Sequence, residues 1–356
     1  MKKVYIYAYL RNNVGDDLFV NLVLKKYPNS MFYIWNDPRY LNPFKKNKNV
    51  VVPNRFSFFL NKVFRRVLKA EIGPLEKRQV KKADVILKIG GSVFMETENY
   101  SYRRIYRGKH AKPLYVLGAN FGPYKTKDYL NAVCAELSDC IDVCFRDRYS
   151  YNLFNKLPRV RYAPDILFQY TLPESIERKN VGISLVDVDR KPGLSIVAED
   201  YVRIIGNAIR IMVKEGYRVK LFGFCIGEGD STIINALWNI MGSHDSIDRI
   251  DYDGNNLDLF LSEFCRCEYI VASRFHSMIL GWNAGKKVLP VIYNQKTRNV
   301  ISDVKYDGPV WDLFEKNNPS EKQIVNWLFE SKPLKNVDKL KEESKQQFAV
   351  FEKEVN

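Results

Sequence analysis

Short apolar runs recur along the chain, and longer mixed stretches separate them. KVYIYAYL (3–10), SMFYIW (30–35), ADVILKIGG (83–91), PLYVLGANFG (113–122), DVCFRD (142–147) and VRYAPD (160–165) read as strands. A second series, VGISLV (181–186), RVKLFGF (218–224), EYIVAS (268–273) and KKVLPVIY (286–293), follows a polar stretch near 171–179. The stretches between them have helical spacing. Residues 15–27 place Leu18, Asn21, Leu22 and Lys25 on successive turns, and 126–138 and 148–156 also read as helices. The clearest helix is 197–217, with Tyr201, Ile204, Ile205, Ala208, Ile209, Met212 and Val213 on one face and Gly216 where it should stop.

Continuous apolar strands alternating with helices predict parallel sheets covered on both faces. At 356 residues the chain exceeds what one core usually supports. The expected fold is therefore α/β, with two Rossmann-like domains at 1–172 and 173–334. The charged, helical tail 335–356 is expected to pack back on the first domain. No internal repeat or low-complexity segment interrupts this pattern.

Charge adds a partner class. The formal net charge of +15 suits anions: nucleic acid, acidic lipid headgroups or phosphorylated small molecules. No nucleic-acid motif appears and the charge is spread over helices, so a nucleic-acid partner is not expected. Six cysteines form no C-x-x-C pair and only three histidines exist, which argues against zinc and for free thiols in a reducing compartment. The opening MKKVYIYAYLRNN reads as a first strand rather than a leader, and no run of about 18 apolar residues appears. A cytoplasmic protein is expected.

Open α/β sheets bind ligands beyond the carboxyl ends of their strands. Polar and glycine residues gather there repeatedly: Asn13, Gly15 and Asp16; Gly90, Gly91 and Ser92; GANFGPY; RDRYS; Pro164-Asp165; SRFHS; NQKTRN. Several have plain readings. Gly90-Gly91 can serve as a turn, Asp16 and Asp17 as first-turn acids, Arg146-Asp147 as an internal ion pair, Ser150 as a helix cap. Arg274 and His276 read either as a solvated turn or as an anion site. Arg offers a planar fork of donors, His can pass a proton, and a helix beginning at 277 would add its amide end. Lys296 would reach the same rim.

Seven motifs then stand in one order: Asn13-Val14-Gly15-Asp16, Gly90-Gly91-Ser92, GANFGP (118–123), RDRYS (146–150), Pro164-Asp165, SRFH (273–276) and P-x-I-Y-x-x-K (290–296). Over roughly residues 10–300 this set resembles the polysaccharide pyruvyl transferases. The resemblance implies a two-domain fold like that of GT-B glycosyltransferases, with an interdomain cleft. It implies phosphoenolpyruvate as donor, a sugar hydroxyl pair as acceptor, and a pyruvate ketal plus phosphate as products. It places Arg274 and His276 on phosphoenolpyruvate, and further basic contacts in the loop 187–193, where Arg190 and Lys191 are the candidates. Ser92 departs from the family's third glycine. The remaining substrate-binding candidates are Lys296, Asn13, Gly15, Gly90, Gly91, Ser92 and Asn120. His276 is the expected acid and Asp16 the expected base toward the acceptor hydroxyl. No metal and no cofactor beyond the co-substrate phosphoenolpyruvate is expected. A nucleotide-sugar glycosyltransferase on the same scaffold is the alternative, and it calls for a carboxylate in the second half to hold a ribose.

The stretch 55–82 carries nine Lys or Arg against two Glu. Phe56, Phe59, Leu60, Val63, Phe64, Val67 and Leu68 share one helical face. Two readings stay open: a membrane-surface helix suited to a lipid-linked glycan acceptor at the inner face of the membrane, or a helix packing its aromatic face on the first domain. YSYRRIYRGKH (100–110) reads as a loop near the acceptor or a diphosphate contact.

Overall fold

The computed structural model describes residues 1–70, 72–96, 112–175, 177–242, 244–315 and 317–355. The basic run 100–110 thus lies outside the described residues, and no contact is assigned to it. The chain divides into two compact units. Unit 1 comprises 1–10, 16–166 and 342–356, and unit 2 comprises 11–15 and 167–341. The carboxamide of Asn283 explains why 167–170 goes with unit 2, since it donates to the carbonyls of Leu167 and Tyr170 at 2.8 Å each.

Unit 1 is a parallel sheet of β1 (Lys3–Tyr7), β2 (Met31–Ile34), β3 (Val50–Val51), β4 (Val85–Ile89), β5 (Leu114–Ala119), β6 (Asp142–Phe145) and β7 (Val160–Tyr162). Its spatial order is β3-β2-β1-β4-β5-β6-β7. Its helices are α1 (Val14–Lys26), whose first two residues count with unit 2, α2 (Arg55–Val67), α3 (Pro74–Lys82), α4 (Lys127–Ser138) and α5 (Arg148–Phe154). Unit 2 is a parallel sheet of β8 (Asn180–Ser184), β9 (Arg218–Gly223), β10 (Ile247–Asp251), β11 (Tyr269–Ala272), β12 (Lys287–Ile292) and β13 (Trp311–Asp312), ordered β10-β9-β8-β11-β12-β13. Its helices are α6 (Ala198–Lys214), α7 (Asp230–Met241), α8 (Leu257–Arg266), α9 (Phe275–Asn283), α10 (Gln295–Asp303), α11 (Glu321–Glu330) and most of α12 (Val337–Ser344); α13 (Phe351–Val355) returns to unit 1. In each sheet the strand order reverses beside the first strand, between β1 and β4 and between β8 and β11, which is the doubly wound pattern whose ligands sit at the reversal.

Burial follows from this layering. All of β4, β5, β6, β8 and β11 is buried, as strands covered on both faces require. In unit 2, Val181, Ile183, Leu221, Val271 and Leu289 meet Ile204, Ile205, Ala208 and Ile209 of α6. That helix closes with Tyr217 N–H on Met212 O at 2.9 Å, just past Gly216. The helix expected at 15–27 is α1, and its burial runs well beyond the residues at that spacing. Lys25 is exposed and Leu22 half-buried, while Val14, Leu18, Phe19, Val20, Val23 and Leu24 are buried, because this helix lies inside the fold and is apolar nearly all round.

The basic stretch is also corrected, from one helix to two. Asn61 is the buried residue of α2, and its side-chain oxygen accepts from the N–H groups of Leu75 (2.9 Å) and Glu76 (3.3 Å) at the start of α3. The aromatic face does not pack on the domain: Phe56, Phe59, Val63, Phe64, Val67 and Leu68 are exposed. At the other end of the chain Gln347 is fully buried within unit 1. It accepts from Gly118 N–H and donates to the carbonyls of Ala163 and Pro164. Phe351 packs edge-on against Tyr27 and Tyr115. Among the described residues, no helix is long and apolar enough to cross a membrane.

Candidate active site

In unit 2 the carboxyl ends of β8, β9, β11 and β12 bring charged groups together. β11 ends at Ala272, Ser273 follows, and Arg274 stands at the N-cap of α9 with extended backbone. Hydroxyls pin this turn. Arg274 N–H donates to Ser184 Oγ (3.2 Å), Ser277 Oγ donates to Arg274 O (2.7 Å), and Tyr201 OH and Ser273 Oγ share a bond of 2.7 Å. These bonds fix the backbone of the turn from which the Arg274 side chain leaves.

The expected open fork is filled. Arg274 Nε donates to Asp230 Oδ1 at 2.9 Å, Nη2 also reaches Asp230, and Nη1 meets Glu228 Oε2 at 2.5 Å. Asp230 is fully buried and also accepts from Cys225 N–H at 2.9 Å. Burial works against the guanidinium's charge, yet the two carboxylates overcome it and hold Arg274 well above its ordinary value. Burial alone would raise the Glu228 carboxyl. Arg274, then Lys191 and Lys296, bring it below the usual range. Burial and then Arg274's charge lower Lys191, so this ammonium would gain from an arriving anion.

Lys191 Nζ lies 5.8 Å from the Tyr293 ring, and Lys296 Nζ lies 5.5 Å from that of Phe275. Arg190 does not join them. It is largely exposed and pairs with Asp187 at 3.0 Å. His276 sits in the first turn of α9, half-buried against Phe275. Its imidazole fills the space over Gly15, where a β-carbon would come within 1.6 Å of Nδ1. Asn13 Oδ1 accepts from Gly15 N–H (3.1 Å), and Val14 N–H donates to Phe224 O (3.1 Å), which fixes 11–15 in unit 2. Of the expected site residues, the structure thus gathers Arg274, Lys191 and Lys296 around Glu228, and His276 with Gly15 and Asn13.

A separate cluster lies at the strand ends of unit 1. Arg146 is buried and pairs with Asp165 (2.8 Å) and with Asn120 Oδ1 (2.8 Å), not with Asp147 as the adjacent positions suggested. Gly91 admits this guanidinium, since a β-carbon there would stand 2.1 Å from Arg146 Nη2. Asp147 rather than Ser150 caps α5, and Ser150 Oγ instead accepts from Phe121 N–H at 2.8 Å. Asp16 is buried in the first turn of α1, its Oδ1 about a van der Waals contact (3.5 Å) from a β-carbon at Gly90, and Ser92 follows half-buried. Asn120 therefore serves to hold Arg146.

Glu228 and Asp230 were not anticipated. They follow β9 in CIGEGD, the same place after a strand that marks Arg274, so the signal was present. Among the described residues, no group of three His, Cys, Asp or Glu could hold a metal ion.

Comparison with known proteins gives a family and a fold. The family description "polysaccharide pyruvyl transferase" matches residues 13–295. The amylovoran biosynthesis protein AmsJ of Erwinia amylovora is 21% identical over 256 residues, 64% of this chain, and the match spans 60% of AmsJ's length. Anabaena HepE, solved with UDP and glucose, superposes with a TM-score of 0.58 at 11% identity, covering 99% of each chain. The UDP-GlcNAc 2-epimerase of Neisseria meningitidis, bound to UDP-GlcNAc, gives 0.56 at 11%, covering 99% of this chain and 100% of its own. At such identity the structural likeness carries the fold alone: α/β units of the GT-B-like kind.

Proposed function

Because the chain belongs to the polysaccharide pyruvyl transferase family, we propose that it uses phosphoenolpyruvate to place a pyruvate ketal on a hydroxyl pair of a lipid-linked glycan precursor. The balance is simple. Two hydroxyl oxygens bond to C2 of the enolpyruvyl group, C3 gains one proton, and phosphate leaves with the other. The observation that carries this reading is the cation cluster of Arg274, Lys191 and Lys296 at the sheet reversal of unit 2, beside the first turn of α9. A trianionic donor calls for several fixed cations and a helix amide end.

In this mechanism Lys191, Lys296 and the α9 terminus hold the donor's phosphate. Glu228, partly exposed, gives up Nη1 of Arg274 to the donor's carboxylate, and Asp230 keeps the guanidinium in place. His276, seated over Gly15, delivers the proton; a positioned acid is worth about 10²–10⁴-fold. Asp16 takes the acceptor's hydroxyl proton.

One observation favours a second reading. Glu228 supplies the carboxylate in the second half that a nucleotide-sugar glycosyltransferase needs for a ribose. The test separates the two. Purified protein is supplied with phosphoenolpyruvate or UDP-sugars and a glycan acceptor, and released phosphate or UDP is measured. Phosphate release that is lost in His276→Ala and Lys296→Ala supports pyruvyl transfer. UDP release without phosphate release rejects it. Arg274→Lys is a better probe than Arg274→Ala, which would leave the Asp230 carboxylate buried and unpaired.

A further inference from the structure

Helix α2 presents its faces in reverse. Its buried residue is the polar Asn61, which caps α3, and the ring of Phe58 lies 6.5 Å from that of Trp35 on the same side. The opposite side is apolar and open: Phe56 is 70% exposed, Phe59 62%, Phe64 45% and Val67 72%. At 100° per residue, Phe59, Val63, Phe56, Val67 and Phe64 form one continuous stripe. Arg55, Lys62 and Arg66 border it along one edge, and all three are exposed. Lys69 lies just past the helix, and α3 adds exposed Lys77, Arg78, Lys81 and Lys82.

We infer that α2 is a docking element for an anionic lipid bilayer, lying in the interface with its phenylalanines among the acyl chains. Charge complementarity selects this occupant. A second copy meeting α2 on its stripe would bring no carboxylate from its own α2 to Arg55, Lys62 and Arg66, since the helix holds no Asp or Glu. Nucleic acid would leave the phenylalanine stripe unused. A bilayer with acidic headgroups takes both features at once, the apolar stripe below the headgroups and the basic border among them. This inference goes beyond the reaction proposed above and stands whichever donor unit 2 holds.

The test is co-sedimentation of the full chain with vesicles of phosphatidylcholine alone or mixed with phosphatidylglycerol. Wild type should pellet with the mixed vesicles and stay in solution with the neutral ones. Each basic residue near an anionic surface is worth roughly fivefold in partitioning, so Arg55→Ala, Lys62→Ala and Arg66→Ala together should cost about a hundredfold at low salt. The set Phe56→Ser, Phe59→Ser and Phe64→Ser should cost at least about tenfold. All three phenylalanines are exposed, and an unchanged thermal melt shows that the variant is folded. Wild type remaining in solution with the mixed vesicles overturns the proposal, and so does binding that the phenylalanine variants leave intact. Sedimentation velocity covers the competing occupant. A dimer that the phenylalanine variants dissociate, with no vesicle binding, assigns the face to a second copy and overturns the lipid proposal.

Discussion

The imidazole of His276 occupies the space in which Gly15 would carry a β-carbon, with Nδ1 1.6 Å from that point. Two residues distant in sequence thus depend on each other, and the dependence gives the asparagine-x-glycine motif at 13–15 a physical role. Asn13 fixes the Gly15 amide, and the bare Cα leaves room for the ring.

Gly15→Ala should therefore displace His276. Overpacking of this kind costs about 1–3 kcal/mol. A displaced acid should lower phosphate release about as much as His276→Ala does. The double variant Gly15→Ala, His276→Ala removes the clash, so its urea midpoint should return toward that of His276→Ala alone. Such non-additivity is the signature of direct contact. Additive losses in stability would show that the two residues do not share the space.

The two carboxylates on Arg274 should respond differently. Asp230 is fully buried, and Asp230→Ala leaves Nε and Nη2 of the buried guanidinium without their carboxylate and only Glu228 on Nη1, a loss of about 3–5 kcal/mol seen in urea unfolding. Glu228→Gln should leave the fold intact and tighten phosphoenolpyruvate in calorimetry, since a competitor for Nη1 has lost its charge. The pH limb follows from the sign of the shift. Glu228's carboxyl lies below its ordinary value in the folded state. Its stabilisation is complete above the unfolded value of about 4.3 and is lost as pH falls through the lower folded one. Wild type should lose stability in that acid window more steeply than Glu228→Gln.

The sequence shows what is local. β4, β5, β8, β11 and β12 are legible as continuous apolar runs, and α6 as a periodic face. β10 is not, because IDRID at the sheet edge is half-buried and carries charges. Nor is β13, two residues long. Arg274 stands out by its place after a strand, but its partners lie 44 and 46 positions away, and no spacing rule joins them. Arg146 likewise finds Asp165 instead of its neighbour Asp147. The composition of α2 reveals its amphipathicity; which face turns outward depends on Asn61 and the start of α3, a tertiary fact.

Four of the six thiols should be nearly inert in the native state. Burial pushes Cys140, Cys144 and Cys267 up to about 12 and Cys265 up to about 11. Reactivity follows the thiolate, so near pH 8 only about one part in a thousand or less of each is nucleophilic. Titration of the folded chain with an aromatic disulfide should find Cys134, which is half-buried, reacting well ahead of these four. In urea the four should become reactive. Rapid native labelling of Cys144 or Cys267 would contradict the burial assigned to β6 and to the end of α8.

Gln347 should hold the end of the chain on unit 1. Its carboxamide oxygen accepts from Gly118 N–H at 2.9 Å, and its nitrogen donates to Ala163 O at 2.7 Å and Pro164 O at 3.1 Å. Gln347→Ala leaves a buried donor and acceptors without this partner, at a cost of about 1–3 kcal/mol. Gln347→Glu keeps the oxygen for Gly118 but turns a carboxylate oxygen toward the carbonyls of Ala163 and Pro164, so it should destabilise more than alanine at neutral pH. Lowering the pH should return part of that excess, because the protonated acid regains a donor. Urea unfolding of the two variants at neutral and acid pH checks the order. Alanine proving worse than glutamate at both would mean that the side chain's bulk, rather than its donor, holds the tail.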